Sequence, residues 1–218
     1  MDGFDALLTE ARGFFRDLSA HNTRDWFAAH KDQYDSAIRR PAELLSHGMA
    51  DEITRLTGTP HRAKLFRVTR DVRFSKDKSP YNAWLQMVWS PFDPGPLSPV
   101  LFFSVEPDDT VLGCGILGLK GEELTRYRAF VAAHGAAVQD AIAAAGAVLS
   151  DHMAEPLARV PKPFVADHPQ GELLRRKSLI AMRSLGRYWM PGPQGVIAAL
   201  TDEIRPFLPL HTLLVGAE

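Results

Sequence analysis

The sequence predicts an α+β fold, with N-terminal helices followed by a mainly antiparallel sheet that has further helices packed on it. Three observations lead there. Helix-period stripes occupy the chain up to Gly58, residue-by-residue alternation begins only at His61, and helical and strand patterns are grouped apart instead of alternating. At 218 residues, 45% apolar and 23% charged, the chain is expected to form one domain over residues 1–218.

Phe4, Leu7, Leu8, Ala11, Phe14, Phe15 and Leu18 recur at three- and four-residue steps and define the first helix. A second helix is expected from Asn22 or Thr23, either able to cap exposed amides, with Trp26, Phe27, His30, Tyr34 and Ile38 along its stripe. Pro41 fits the first turn of a third, whose buried side is read as Leu44, Leu45, Met49, Ile53 and Leu56 and which ends near Gly58.

Past His61 the apolar positions Phe66, Val68, Val72 and Phe74 alternate with polar ones, and a strand-like run covers Trp84 to Trp89. Residues 90 to 99 hold four prolines and a glycine and are expected to be an exposed loop. A hairpin follows, Val100 to Val105 and Thr110 to Leu117, joined by Pro107, Asp108 and Asp109. Glu122 and Glu123 open a helix expected to run to His134 and stop at Gly135, with an alanine-rich helix after it to Ala145. Asp167 or His168 is expected to cap a short helix, Ser178 to Arg183 reads as strand, and the last helix is placed from Pro193 to before Pro206.

A net charge of −1 and a pI near 6.7 give the surface as a whole no long-range pull on nucleic acid or anionic lipid. Any anion affinity must therefore be local. No apolar run approaches the ~20 residues needed to span a bilayer, so no membrane partner is expected. The single cysteine, Cys114, cannot form an internal disulfide, and no secretory signal follows Met1; a cytoplasmic protein is expected.

The most unusual passage is residues 61 to 81, HRAKLFRVTRDVRFSKDKSPY, with seven Lys or Arg against two Asp. In extended chain, period two places Phe66, Val68, Arg70, Val72 and Phe74 on one face and Arg67, Thr69, Asp71, Arg73 and Ser75 on the other. Arg70 is then inward-facing and needs a carboxylate or a bound anion, because an unpaired buried guanidinium is costly. The acid is expected among Asp25, Asp71, Asp77, Glu106, Asp167 and Glu172, which would make the segment an internal ion-pair girder; otherwise a ligand supplies the charge.

The phrases NTRDWFAAHKDQY (22 to 34), FRVTRDVRFSKDKSPYN (66 to 82) and PFVADHPQGELLRRKS (163 to 178) resemble those of a family of bacterial and fungal proteins, domain of unknown function family 2461. The resemblance implies a one-domain α+β fold and brings no activity, substrate or cofactor. Family members often carry Lys where this chain has Asn82, and Gly where it has Pro163. Carried over position by position, it picks out Asn22, Arg24, Asp25, Trp26, Phe27, Lys31 and Tyr34 in the first phrase. The second gives Arg67, Arg70, Asp71, Arg73, Lys76, Asp77, Lys78 and Tyr81, and the third Asp167, His168 and Lys177.

The sequence thus predicts a small phosphate or carboxylate site. Arg24, Arg67, Arg70, Arg73, Lys76, Lys78, Tyr81 and Lys177 are its candidate ligand-binding residues, and Asp71, Asp77 and His168 its candidates for proton transfer. Simpler readings run beside these. Trp26, Phe27 and Tyr34 fit core packing, Asp167 and His168 a helix cap, and Lys76 to Lys78 a solvated loop. The competing function is a non-catalytic module that docks an acidic protein or single-stranded nucleic acid, with Trp84 or Trp89 for stacking.

Scattered histidines, one cysteine and no His-Glu-x-x-His give no metal site, and no P-loop or dinucleotide fingerprint calls for a cofactor. The Gly113, Cys114, Gly115 trio falls in the predicted hairpin, where Cys114 reads as a small buried residue and not a nucleophile. Oligomeric state is not encoded in any of these patterns.

Overall fold

The structure, a computed structural model, describes residues 3–73, 75–93, 95–151 and 155–216. It is α+β. Helix α1 (Asp5–Ala20) buries Leu7, Leu8, Ala11, Phe14, Phe15 and Leu18, as the stripe requires. Helix α2 (Arg24–Ala29) is capped by Thr23, whose Oγ1 accepts from the Trp26 amide at 3.3 Å, so Thr23 and not Asn22 is the cap. The expected continuous second helix is broken. After α2 come the single turn α3 (Lys31–Gln33), a π-helical turn (Tyr34–Arg39) and then α4 (Arg40–Thr57) without a gap. Pro41 has no N–H and its ring crowds the preceding turn, which accounts for the relaxation to π geometry just before it. Gly58 ends α4 at φ 71°. Leu44 was expected in the core but is 67% exposed. The buried arc is Ala42, Leu45, Ser46, Met49, Ala50 and Ile53, which leaves Leu44 outside it.

Strand β1 (His61–Leu65) is shorter than the alternation predicts, and regular pairing resumes only at β2 (Leu85–Pro91). Pro91, expected in the loop, closes that strand, where a missing N–H is tolerated. The loop beyond it is not wholly exposed, since Leu97 is buried. Strands β3 (Val100–Val105) and β4 (Thr110–Ile116) form the expected hairpin. Helix α5 (Gly121–Ala144) is one helix where two were expected. Gly135 does not stop it. A Cβ at Gly135 would lie 2.7 Å from Gln170 Cγ, so the glycine is there for close approach.

Strand β5 (Val148–Leu149), too short to show a period, pairs antiparallel with β6 (Leu179–Ser184). Between them α6 (Gly171–Leu174) starts later than expected, with Gln170 and not Asp167 or His168 at its cap position. The last helix is two. Helix α7 (Val196–Ile204) starts after Pro193, and a 3₁₀ turn (Arg205–Phe207) leads into α8 (Leu208–Val215). Pro206 and Pro209 sit in first turns, where the missing N–H costs nothing, so neither ends the helical run.

The six strands form an antiparallel sheet in the order β1-β2-β3-β4-β6-β5. The chain resolves into two compact units. The first comprises Met1–Trp89, Phe102–Leu112 and Ser184–Glu203, and the second Ser90–Leu101, Gly113–Arg183 and Ile204–Glu218. In the first, Phe15, Ile38, Leu45, Met49 and Trp89 are fully buried; in the second, Tyr127, Leu173, Leu174 and Phe207 are. Trp89 therefore offers no face for stacking, and its Nε1 donates to the Ser46 carbonyl at 2.8 Å. No helix among the described residues is long and apolar enough to cross a membrane.

Candidate functional site

Residues 66–82, in the first unit, form a folded loop and not a free strand. The outgoing and returning halves are tied by Phe66 N–H to Gln86 O at 2.9 Å, Asn82 N–H to Val68 O at 2.6 Å, Arg70 N–H to Pro80 O at 2.9 Å and a single Thr69–Tyr81 bridge. The predicted alternation survives without a ladder. Val68 is buried, Arg70 and Val72 are half-buried, and Arg67, Thr69, Asp71 and Arg73 are exposed. Phe74 lies outside the described residues.

Asn22 holds the base of the loop. Its Nδ2 donates to the Tyr81 carbonyl at 2.9 Å and its Oδ1 accepts the Tyr81 amide at 3.1 Å, so one side chain stands in for a neighbouring strand. The Tyr81 ring stacks on Phe27 at 4.3 Å between centroids. Phe27 and Tyr34 are core residues, as the simpler reading expected, and Trp26 is half-buried, stacked on His30 at 3.9 Å.

The inward arginine finds its acid inside the loop: Arg70 Nη1 meets the Asp77 carboxylate. Asp77 also accepts the Ser79 amide at 2.9 Å and the Ser79 hydroxyl at 2.7 Å. The Ser79 amide first, then Arg70 and the Ser79 hydroxyl, hold that carboxyl well below the usual range. Asp71 takes the Arg73 guanidinium as a fork, Nε at 2.9 Å and Nη2 at 2.6 Å, and these bonds lower its pKa as well. Both carboxylates stay ionised through the neutral range. Neither is poised to give up a proton there, and a base so depressed is weak.

The remaining cations of the loop meet no acid among the described residues. Lys78 donates to the Val72 carbonyl at 3.0 Å, which satisfies a proton and leaves the charge. Lys76 and Arg67 are exposed, with no side-chain partner among the described residues, and Asn82 donates to the Arg67 carbonyl at 3.0 Å. Arg24, also in the first unit, is exposed at the start of α2, and Lys31 pairs with Asp35.

In the second unit Asp167 and Lys177 are exposed, and the Lys177 carbonyl accepts from Leu119. His168 Nδ1 accepts the Gln170 amide at 3.0 Å, and its ring stands edge-on to Phe164 at 5.9 Å. These bonds shape a turn. Among the described residues no group of three or more His, Cys, Asp or Glu is arranged to hold a metal ion. Cys114 is fully buried, and burial pushes its thiol pKa up, away from nucleophilic use.

Two buried arginines escaped the sequence reading. Arg176 is held by Asp151 and by Glu172 at 3.2 Å, an ion pair within the second unit. Arg12 is buried in the first. It stands four residues after Leu8 and three before Phe15, a spacing that already puts it on the apolar face of α1.

A family model described as "Conserved hypothetical protein (DUF2461)" matches residues 10–212. No curated protein matches the chain.

Proposed function

The chain belongs to the DUF2461 family of conserved hypothetical proteins, and from that premise we propose that it binds a small phosphate or carboxylate anion on the loop 66–82. One observation carries the reading. The two carboxylates of the loop are consumed by Arg70 and Arg73, while Arg67, Lys76 and Lys78 meet no acid among the described residues. Their charges repel unless an anion sits among them. An oxyanion seated among like charges relieves their mutual repulsion, which falls off with distance and is screened at a protein surface.

In this reading the girder and the site are the same loop. Arg70 and Asp77 order the backbone, Asn22 and Tyr81 fix its base, and the exposed cations do the binding from a frame set before the ligand arrives. Arg24 and Lys177 are left outside the proposed set, since no described contact draws either to the loop. The function supported is binding, because neither Asp71 nor Asp77 carries a transferable proton near neutrality.

The test is thermal melting in sodium phosphate against sodium chloride of equal ionic strength, for the wild type and a Lys76→Gln, Lys78→Gln double variant. Phosphate is expected to raise the wild-type melting temperature beyond the chloride control and to leave the double variant unmoved. Equal shifts in the two salts would remove the reading.

A further inference from the structure

Arg12 is a buried cation that meets no acid among the described residues. Only 9% of it is exposed. Its Nη2 donates to Thr110 Oγ1 at 2.9 Å and to the Trp189 carbonyl, and its Nη1 donates to the Met190 sulfur at 3.2 Å. Its Nε is buried with no hydrogen-bond partner among the described residues. All three acceptors are neutral, so they occupy protons without offsetting the charge. The acids of the nearby turn are engaged elsewhere. Asp108 pairs with Arg187 at 3.3 Å, and Asp109 accepts from Ser184 and the Thr110 amide.

One turn further along α1, Arg16 is exposed and donates to the Pro107 carbonyl at 3.3 Å. Among the described residues it too meets no carboxylate. Both arginines line a cleft of about 430 Å³, together with Thr9, Gly13, Tyr188 and Met190. That size falls in the ~300–1,000 Å³ range of small-molecule sites.

Two features of the lining point to what fills it. Tyr188 is 81% exposed and Met190 is also exposed, so an aromatic face stands open beside the arginines, next to a thioether side chain whose sulfur accepts from Arg12. The Arg187 guanidinium lies 5.4 Å from the Tyr188 ring centroid, which steadies the ring. Gly13 lies inside α1, where glycine is a poor helix former, and a Cβ there would meet nothing within 4 Å. The helix therefore needs no glycine for packing, and its effect is to leave the cleft open.

We propose that this cleft binds a small organic oxyanion, a carboxylate or phosphate monoester on a flat apolar body. The anionic group lies on Arg12 and Arg16 and the body lies against Tyr188 and Met190. The site shares no residue with the 66–82 loop and does not rest on the reading of that loop.

The test is calorimetric titration of the Lys76→Gln, Lys78→Gln chain, which keeps the loop out of the readout, with benzoate and phenyl phosphate. Benzamide and inorganic phosphate are the controls. At least one of the organic anions is expected to bind at millimolar concentration or below. Benzamide, which lacks the charge, and inorganic phosphate, which lacks the apolar body, are expected to bind at least about tenfold more weakly. The tighter of the two organic anions identifies the oxyanion as carboxylate or phosphate.

Arg16→Met is expected to weaken binding about tenfold, the loss of one charge-assisted contact. Arg12→Met also removes bonds to Thr110 and Trp189 and endangers the fold, so Gly13→Leu is the deciding variant. It is expected to fill the cleft and abolish binding with the melting temperature kept or raised. Binding that survives Gly13→Leu, equal binding of benzamide, or no binding of either organic anion to the folded chain would overturn the proposal.

Discussion

Arg70 and Asp77, seven residues apart, close the basic loop on itself through an ion pair that is half-buried on the arginine side and open on the other. The arginine is 27% exposed and the aspartate 58%, so the pair sits at the rim of the first unit, where its worth lies in ordering the backbone more than in global stability. Arg70→Met is therefore expected to lower the melting temperature only slightly. Trypsin should cut at Lys76 and Lys78 much faster, with Arg73→Met showing the weaker effect because the Arg73 side chain is 77% exposed. A large global loss with unchanged cleavage would assign the pair to the core.

The pH response of the same pair has a definite sign. The folded pKa of Asp77 is depressed, so its contribution is complete above the unfolded aspartate value of about 3.9 and is lost as pH falls through the lower folded value. The difference in melting temperature between wild type and Asp77→Asn is expected to be constant above about pH 5 and to shrink in stronger acid. A difference already vanishing near neutrality would mean that Asp77 is not held ionised.

His61 works in the same direction over a higher pH range, with the neutral form and not the charged one favoured by the fold. Burial lowers the pKa of this ring at the start of β1, and the Thr59 carbonyl, 2.7 Å from Nδ1, offsets only part of that. Below about pH 6.5 the unfolded chain takes up a proton that the folded chain still refuses, so stability falls with pH until the folded ring is protonated too. His61→Phe is expected to flatten that slope in melting curves collected between neutrality and mild acid. An unchanged slope would place the His61 ring in contact with water.

Much of this was legible in the residues because burial leaves a period. The stripe of α1, a cap at Asn22 or Thr23, the αL stop at Gly58 and the β3–β4 hairpin all follow local rules, and the structure keeps them with Thr23 as the cap. The inward face of Arg70 followed from period two, even though no regular strand forms there, because side-chain alternation needs only extended backbone. What failed was set by distant contacts. Gly135 reads as a stop until Gln170 occupies the space beside it, and Leu44 reads as core until the arc of α4 is drawn from its partners. Prolines read as breaks when their first-turn positions are not known. Arg12 is hard to read from sequence because a charged residue within an apolar stripe looks like noise in the stripe.

Glycine positions give a stability test with both signs. In β4, a Cβ at Gly115 would stand 2.0 Å from the Leu179 carbonyl oxygen, a backbone atom that cannot step aside. Gly115→Ala is expected to destabilise by about 3 kcal/mol or to prevent folding. Gly13→Ala meets nothing and is expected to stabilise by about 1 kcal/mol through helix propensity. Chemical denaturation measures both, and a tolerated Gly115→Ala would contradict the close approach of β4 and β6.

The most direct test of the anion reading is isothermal titration of the wild type and the Lys76→Gln, Lys78→Gln variant with inorganic phosphate at constant ionic strength. The account predicts a saturable heat in the wild type that disappears in the variant while both melt alike without phosphate. Superimposable isotherms, or no saturable heat in the wild type, would contradict it.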